Sequence, residues 1–116
     1  EQAQTLLGVD LSNDEDQQPI FSTVSDDEDM KPLLTEFVRG LNGYITKLRD
    51  ANAKSDKQAI EGLTHVLKGA GSGYGFAPIT EQAGQVITVL EDEQEDLEKI
   101  KHQVNALIRV LNRVKL

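Results

Sequence analysis

The chain has 116 residues, enough for one domain with a modest hydrophobic core. It contains no cysteine, which excludes disulfide bonds, thiolate metal sites and a cysteine nucleophile. A net charge of −8 and the presence of only three Phe, two Tyr and no Trp argue against a nucleic-acid-binding surface. No apolar run approaches the ~18 residues that span a bilayer, so we expect no direct membrane contact.

The net charge belongs to the N-terminal part of the chain. Residues 1–31 hold nine acids and one base, whereas residues 32–116 hold eleven of each. Residues 1–18 are polar and acidic, with one small apolar island between positions 6 and 11. We expect residues 1–18 to be an acidic linker or tail, and the alternative is a short helix docked on the folded domain.

The folded domain is expected over residues 19–116, opened by Ile20 and Phe21, which we expect to pack across one end of the core. The first helix is predicted from about residue 27 to residue 51. A start near Met30 is the alternative, because Pro32 fits only in the first turn of a helix. The apolar positions of this helix repeat every three or four residues: Leu34, Phe37, Val38, Leu41, Tyr44, Ile45 and Leu48.

Three further helices are predicted, over about residues 55–72, 77–90 and 94–114. Ser55 or Asp56 is a suitable N-cap for the second helix, and Pro78 is expected at the first helical position of the third. Four amphipathic helices, short connections and the lack of a strand pattern predict an all-α fold. We therefore expect an antiparallel up-down four-helix bundle with an N-terminal extension.

Glycines interrupt two of these helices. Gly40 and Gly43 weaken the first helix by roughly 1 kcal/mol each relative to alanine, so we expect them to mark a close helix crossing. Gly71 and Gly73 are interpreted as part of a frayed end of the second helix. Gly75 is expected to cap that helix and to adopt a positive φ angle in the turn that follows.

The polar face of the second helix carries the candidate site. His65 lies roughly 180° from the apolar stripe at 100° per residue, so we expect it to be exposed. Lys68 and Gly69 share its face. A neutral imidazole can act as a nucleophile, a lysine can bind an anion, and a glycine leaves room for a large partner. This combination predicts a site that receives a phosphoryl group from another protein.

The sequence T-H-V-L-K-G-A-G-S-G-Y-G-F, residues 64–76, resembles the signature of histidine-containing phosphotransfer (HPt) domains. That signature is H-x-x-K-G followed by a glycine ten positions after the histidine, here Gly75. The resemblance extends over the helix pattern from about residue 20 to the end of the chain. It implies a phosphorelay intermediate in which Nε2 of His65 accepts a phosphoryl group from a receiver-domain aspartate. A second receiver aspartate then takes that group away.

The same resemblance assigns the neighbouring residues and the partners. It implies that Lys68 stabilises the phosphoryl group and that Gly69 gives the partner access. The partners would be response-regulator receiver domains, which supply Mg²⁺, while this domain holds no cofactor or metal and has no ATP-dependent kinase activity. It implies a cytoplasmic monomer, either free-standing or cut from a hybrid sensor kinase, whose other parts would reach the membrane.

Two polar residues outside the motif are further candidates for the site. Glu61 lies one helical turn before His65, and we regard it as a candidate for orienting the imidazole. His102, in the fourth helix, has no lysine and glycine companions and is interpreted as a structural or surface histidine. Scattered carboxylates around two histidines do not have the spacing of a metal site.

Three alternative functions fit parts of the sequence. The main one is a helical interaction module that binds a receiver or kinase without carrying phosphate. A dimerisation and histidine-phosphotransfer domain of a kinase is disfavoured, because its motif usually has an acid directly after the histidine, where this chain has Val66. A nucleotide-binding loop is disfavoured as well, because the glycines follow a helix rather than a strand and no G-K-S/T sequence is present.

Overall fold

The computed structural model describes residues 18–92 and 96–116, and within these ranges the chain is helical. The predicted acidic tail falls outside these ranges except for Gln18, as does position 94, the expected start of the fourth helix. The all-α prediction is confirmed. The helices of the described ranges are α1 (Lys31–Ala53), α2 (Lys57–Gly73), α3 (Ala77–Leu90) and α4 (Leu97–Arg113).

The helix starts follow from local chemistry. Helix α1 begins at Lys31, with Pro32 in its first turn, so the alternative start near Met30 is correct and the start at residue 27 is wrong. Asp56 rather than Ser55 caps α2, since its carboxylate accepts a hydrogen bond from the backbone N–H of Ala59 at 3.1 Å.

The other two helices begin in related ways. Helix α3 begins at Ala77, so Pro78 lies in its first turn but one position later than expected, and Phe76 occupies the N-cap position. Asp96 caps α4 by accepting hydrogen bonds from the backbone N–H groups of Glu98 and Lys99. The first N–H groups of a helix have no partner inside it. Asp96 accepts hydrogen bonds from two of these groups, and Pro78 has no N–H group.

The four helices close into a bundle. Each helix packs against the next along the chain, and α1 also packs against α4. Because consecutive helices are joined by short connections (54–56, 74–76 and 91–96), neighbours run antiparallel. No helix in the described ranges combines the length and apolarity needed to cross a membrane. The apolar stripes meet in one core that includes Leu48, Ile60, Leu67, Phe76, Ile79, Val86, Val104 and Leu107, each at most 1% exposed.

Helices α2 and α3 approach each other closely at Gly71. A Cβ atom on Gly71 would lie 2.8 Å from the backbone nitrogen of Thr80 and 3.0 Å from the carbonyl oxygen of Phe76. Helix α2 continues to Gly73, so the interpretation of Gly71 as part of a frayed end is wrong. The crossing expected at Gly40 and Gly43 is also wrong, because both face open space.

Residues 18–24, which we call the N-terminal strap, cross the end of the bundle. Ile20 forms a parallel bridge with Val114: its N–H donates to the carbonyl of Arg113 at 2.8 Å, and its own carbonyl accepts from the N–H of Lys115 at 2.9 Å. The side chain of Ile20 is buried, as expected. The side chain of Phe21 is 57% exposed, which contradicts the expectation that it packs on the core.

The contact at Gly71 yields a stability prediction. The substitution Gly71→Ala should lower the free energy of unfolding by about 1–3 kcal/mol, because the new methyl group overlaps backbone atoms that cannot move independently. The matched control is Gly73→Ala, where a Cβ meets nothing within 4 Å. Urea denaturation should find the control at least as stable as wild type, and equal stability of both variants would contradict this packing.

Candidate functional site

His65 lies on the exposed face of α2, as the sequence predicts. On the side of α2 turned to the core, Ile60, Thr64 and Leu67 are at most 1% exposed and hold the helix in place. The helix therefore has one fixed side and one open side. The residues on the same side of the helix as His65, which we call the histidine face, are all exposed: Gln58, Glu61, Gly62, His65, Lys68, Gly69 and Ser72.

The turn that carries His65 is held by the buried hydroxyl of Thr64. Its Oγ1 donates to the carbonyl of Ile60 at 2.9 Å and lies 3.0 Å from the carbonyl of Glu61. These contacts satisfy a polar group that would otherwise be costly to bury. Because Thr64 directly precedes His65, these contacts also hold the backbone at the histidine in place.

Lys68 and Gly69 complete the exposed face one turn further on. The carbonyl of Lys68 accepts a hydrogen bond from the Thr80 hydroxyl at 2.7 Å, which ties this turn to α3. Its side chain is exposed, and within the described ranges its ammonium group has no ion-pair partner. A Cβ on Gly69 would meet nothing within 4 Å. The site thus combines an accessible imidazole, a cation available to an anion, and open space.

The remaining predicted site residues take different places. Gly75 follows α2 and adopts φ +79°, so the predicted positive φ is confirmed. Glu61 is exposed on the histidine face, but no hydrogen bond joins its carboxylate to His65 among the contacts of the described residues. His102 is exposed on α4, which packs against α1 and α3 rather than extending the α2 face.

A groove between α1 and α2 lies directly beside the histidine face. Its volume is about 570 Å³, and Val66, which follows His65, forms part of its wall and is 52% exposed. Sequence reasoning did not identify this groove. The signal was Val66 itself, an apolar residue outside the buried stripe and next to the histidine. The other lining residues are Tyr44, Lys47, Asp50, Ala51, Lys54, Asp56, Ala59, Gly62 and Leu63.

Neither a cluster of metal-binding side chains in the described ranges nor a match to a known protein identifies the function of this site. Across residues 18–92 and 96–116, no three His, Asp or Glu side chains come together in a cluster suited to a metal ion. Comparisons with protein-family models, curated proteins and solved structures found no match. The residues of the site and their arrangement are therefore the basis of the proposed function.

The open space at Gly69 yields a second stability prediction. Gly69→Ala should raise the free energy of unfolding by about 1 kcal/mol, because alanine is the better helix former and its methyl group meets no neighbour. Gly62→Ala, at another exposed and open position of α2, is the matched control and should behave alike. A loss of stability confined to Gly69→Ala would show that the fold itself requires this glycine.

Proposed function

We propose that this chain is a phosphorelay intermediate of the HPt type, which carries a phosphoryl group on His65 between receiver domains. The observation that carries the proposal is the grouping of an exposed imidazole, an available ammonium group and an open glycine on one face of α2. The fold does not require a glycine at position 69, because a methyl group there would meet no neighbour. A partner that must bring an aspartyl phosphate to the imidazole does need that space.

The transfer requires few chemical groups from this chain. The lone pair of His65 Nε2 attacks phosphorus while the bond from phosphorus to the receiver's aspartate oxygen breaks, and the carboxylate leaves. The second transfer reverses these events on another receiver. A phosphoryl group brings nearly two negative charges, which the ammonium of Lys68 offsets from one helical turn away. Positioning and charge neutralisation are the main requirements of such a transfer.

The groove between α1 and α2 supports docking of a protein partner. Tyr44 and Leu63 are partly buried in its wall, and Val66 is exposed beside the histidine. Apolar area at the centre of an interface excludes water and contributes most of the affinity. A receiver bound over this groove would cover His65 and could present its aspartate to the imidazole.

The same groove favours the second candidate function, a helical interaction module that binds a receiver or kinase without carrying phosphate. Both functions predict binding, and they differ in the role of the imidazole. Only the carrier requires His65 to form a covalent bond to phosphorus. An experiment that follows the phosphoryl group therefore separates them.

Phosphoryl transfer from a labelled receiver tests the carrier function. Wild type and His102→Gln should both gain acid-labile, base-stable label, whereas His65→Gln should gain none, since its amide is not a nucleophile for the phosphoryl group. Label that persists in His65→Gln would show that another residue carries the phosphoryl group. If the folded wild type takes no label from any of several receivers, the interaction module becomes the better account.

Binding to a receiver tests the docking surface. Val66→Asp should weaken binding at least tenfold, because it places a desolvated carboxylate at the centre of the interface. Leu97→Asp is the matched control, since Leu97 is 43% exposed and lies on α4, away from this groove. Isothermal titration calorimetry should give wild-type affinity for the control. Equal affinities of all three proteins would place the receiver on another face.

A further inference from the structure

The end of α2 that carries Lys68 and Gly69 is intrinsically weak. Glycines occupy positions 69, 71 and 73, and each disfavours a helix relative to alanine. Helix α2 nevertheless continues to Gly73. Local propensity cannot explain this, so contacts with other parts of the molecule must hold these turns in the helical conformation.

Helix α3 provides the first set of contacts. The hydroxyl of Thr80 donates to the carbonyl of Lys68 at 2.7 Å and lies 3.2 Å from the hydroxyl of Ser72. The N–H of Phe76 donates to the carbonyl of Gly71 at 2.8 Å. These contacts fix one side of the weak turns, the side that faces α3.

The N-terminal strap provides the second set, at the very end of α2. Ser22 is only 8% exposed, and its hydroxyl donates to the carbonyl of Tyr74 at 2.6 Å while accepting from the N–H of Val24 at 3.0 Å. The N–H of Thr23 donates to the carbonyl of Gly75 at 3.0 Å. A Cβ on Gly75 would lie 2.7 Å from the Ser22 hydroxyl, so the absence of a side chain there lets the strap dock.

A stacked pair of rings strengthens the same junction. The rings of Phe37 and Tyr74 lie 4.7 Å apart between centroids, with 19° between their planes. Phe37 belongs to α1, so this pair ties the C-cap residue of α2 to a third helix. The strap, α1 and α3 thus converge on the turn that ends the phosphoacceptor helix.

We propose that the N-terminal strap is a positioning element, with Ser22 as its main residue, that holds the glycine-rich end of α2 helical and so keeps Lys68 and Gly69 on the face of His65. The inference rests on the proposed function and adds a form of regulation to it. When docked, the strap supports the turn at Tyr74 and Gly75. Release of the strap would remove this support, so the equilibrium between docked and released states would set how well the site is formed. Because the strap leads directly out of the described bundle at Gln18, an event in the preceding segment can bias that equilibrium.

Amide hydrogen exchange combined with phosphoryl transfer tests this proposal on the full chain. In Ser22→Ala the carbonyl of Tyr74 loses its donor, so exchange of the amides of residues 70–75 should accelerate roughly tenfold and transfer from a receiver should slow several-fold. Ser25→Ala is the matched control, since Ser25 is exposed just beyond the strap. It should match wild type in both measurements.

A second-site variant provides the rescue. Gly73→Ala strengthens the helix without meeting any neighbour, so Ser22→Ala combined with Gly73→Ala should recover much of the exchange protection and of the transfer rate. Wild-type exchange in Ser22→Ala, or faster exchange with an unchanged transfer rate, would overturn the proposal. A wild type that accepts no label would contradict the proposed function alone, since the exchange data would still decide whether the strap holds the helix.

Discussion

The division of α2 into one buried side and one open side is the constraint on which the site depends. Thr64 and Leu67 are fully buried against the other helices, whereas His65, which lies between them in sequence, is exposed to solvent. Gly71 extends the buried side by allowing α3 to approach within contact of the α2 backbone. With its buried side held in this way, α2 presents the imidazole of His65 and the ammonium group of Lys68 to solvent.

Three glycines in and after α2 differ in what surrounds them. Gly71 lacks a side chain because α3 occupies the space, and Gly75 because its φ of +79° and the adjacent strap exclude one. Gly69 has neither constraint, since a methyl group there would enter open space. The first two glycines are explained by the fold. The fold does not require the third, and access for a docking partner is the reason that the proposed function supplies.

Periodicity was sufficient to predict the helices and the exposure of His65, because both depend on which positions share a helix face. It was insufficient for the glycines, since the space around Gly40 or Gly71 depends on neighbours that are distant in sequence. Of the two expectations for the strap, the burial of Ile20 was correct and the burial of Phe21 was wrong. Alternation along an extended segment buries Ile20 and exposes Phe21, and the pairing of Ser22 with Tyr74 joins residues 52 positions apart. Local sequence carries no signal for such a contact.

The central claim is that the imidazole of His65 forms a bond to phosphorus. A ³¹P–¹H correlation spectrum of the wild-type chain, recorded after incubation with a phosphorylated receiver, tests it most directly. The account predicts a single phosphohistidine signal that correlates with the ring protons of His65 and identifies Nε2 as the bonded atom. A signal that correlates with His102, or no phosphohistidine signal from a folded chain, would contradict it.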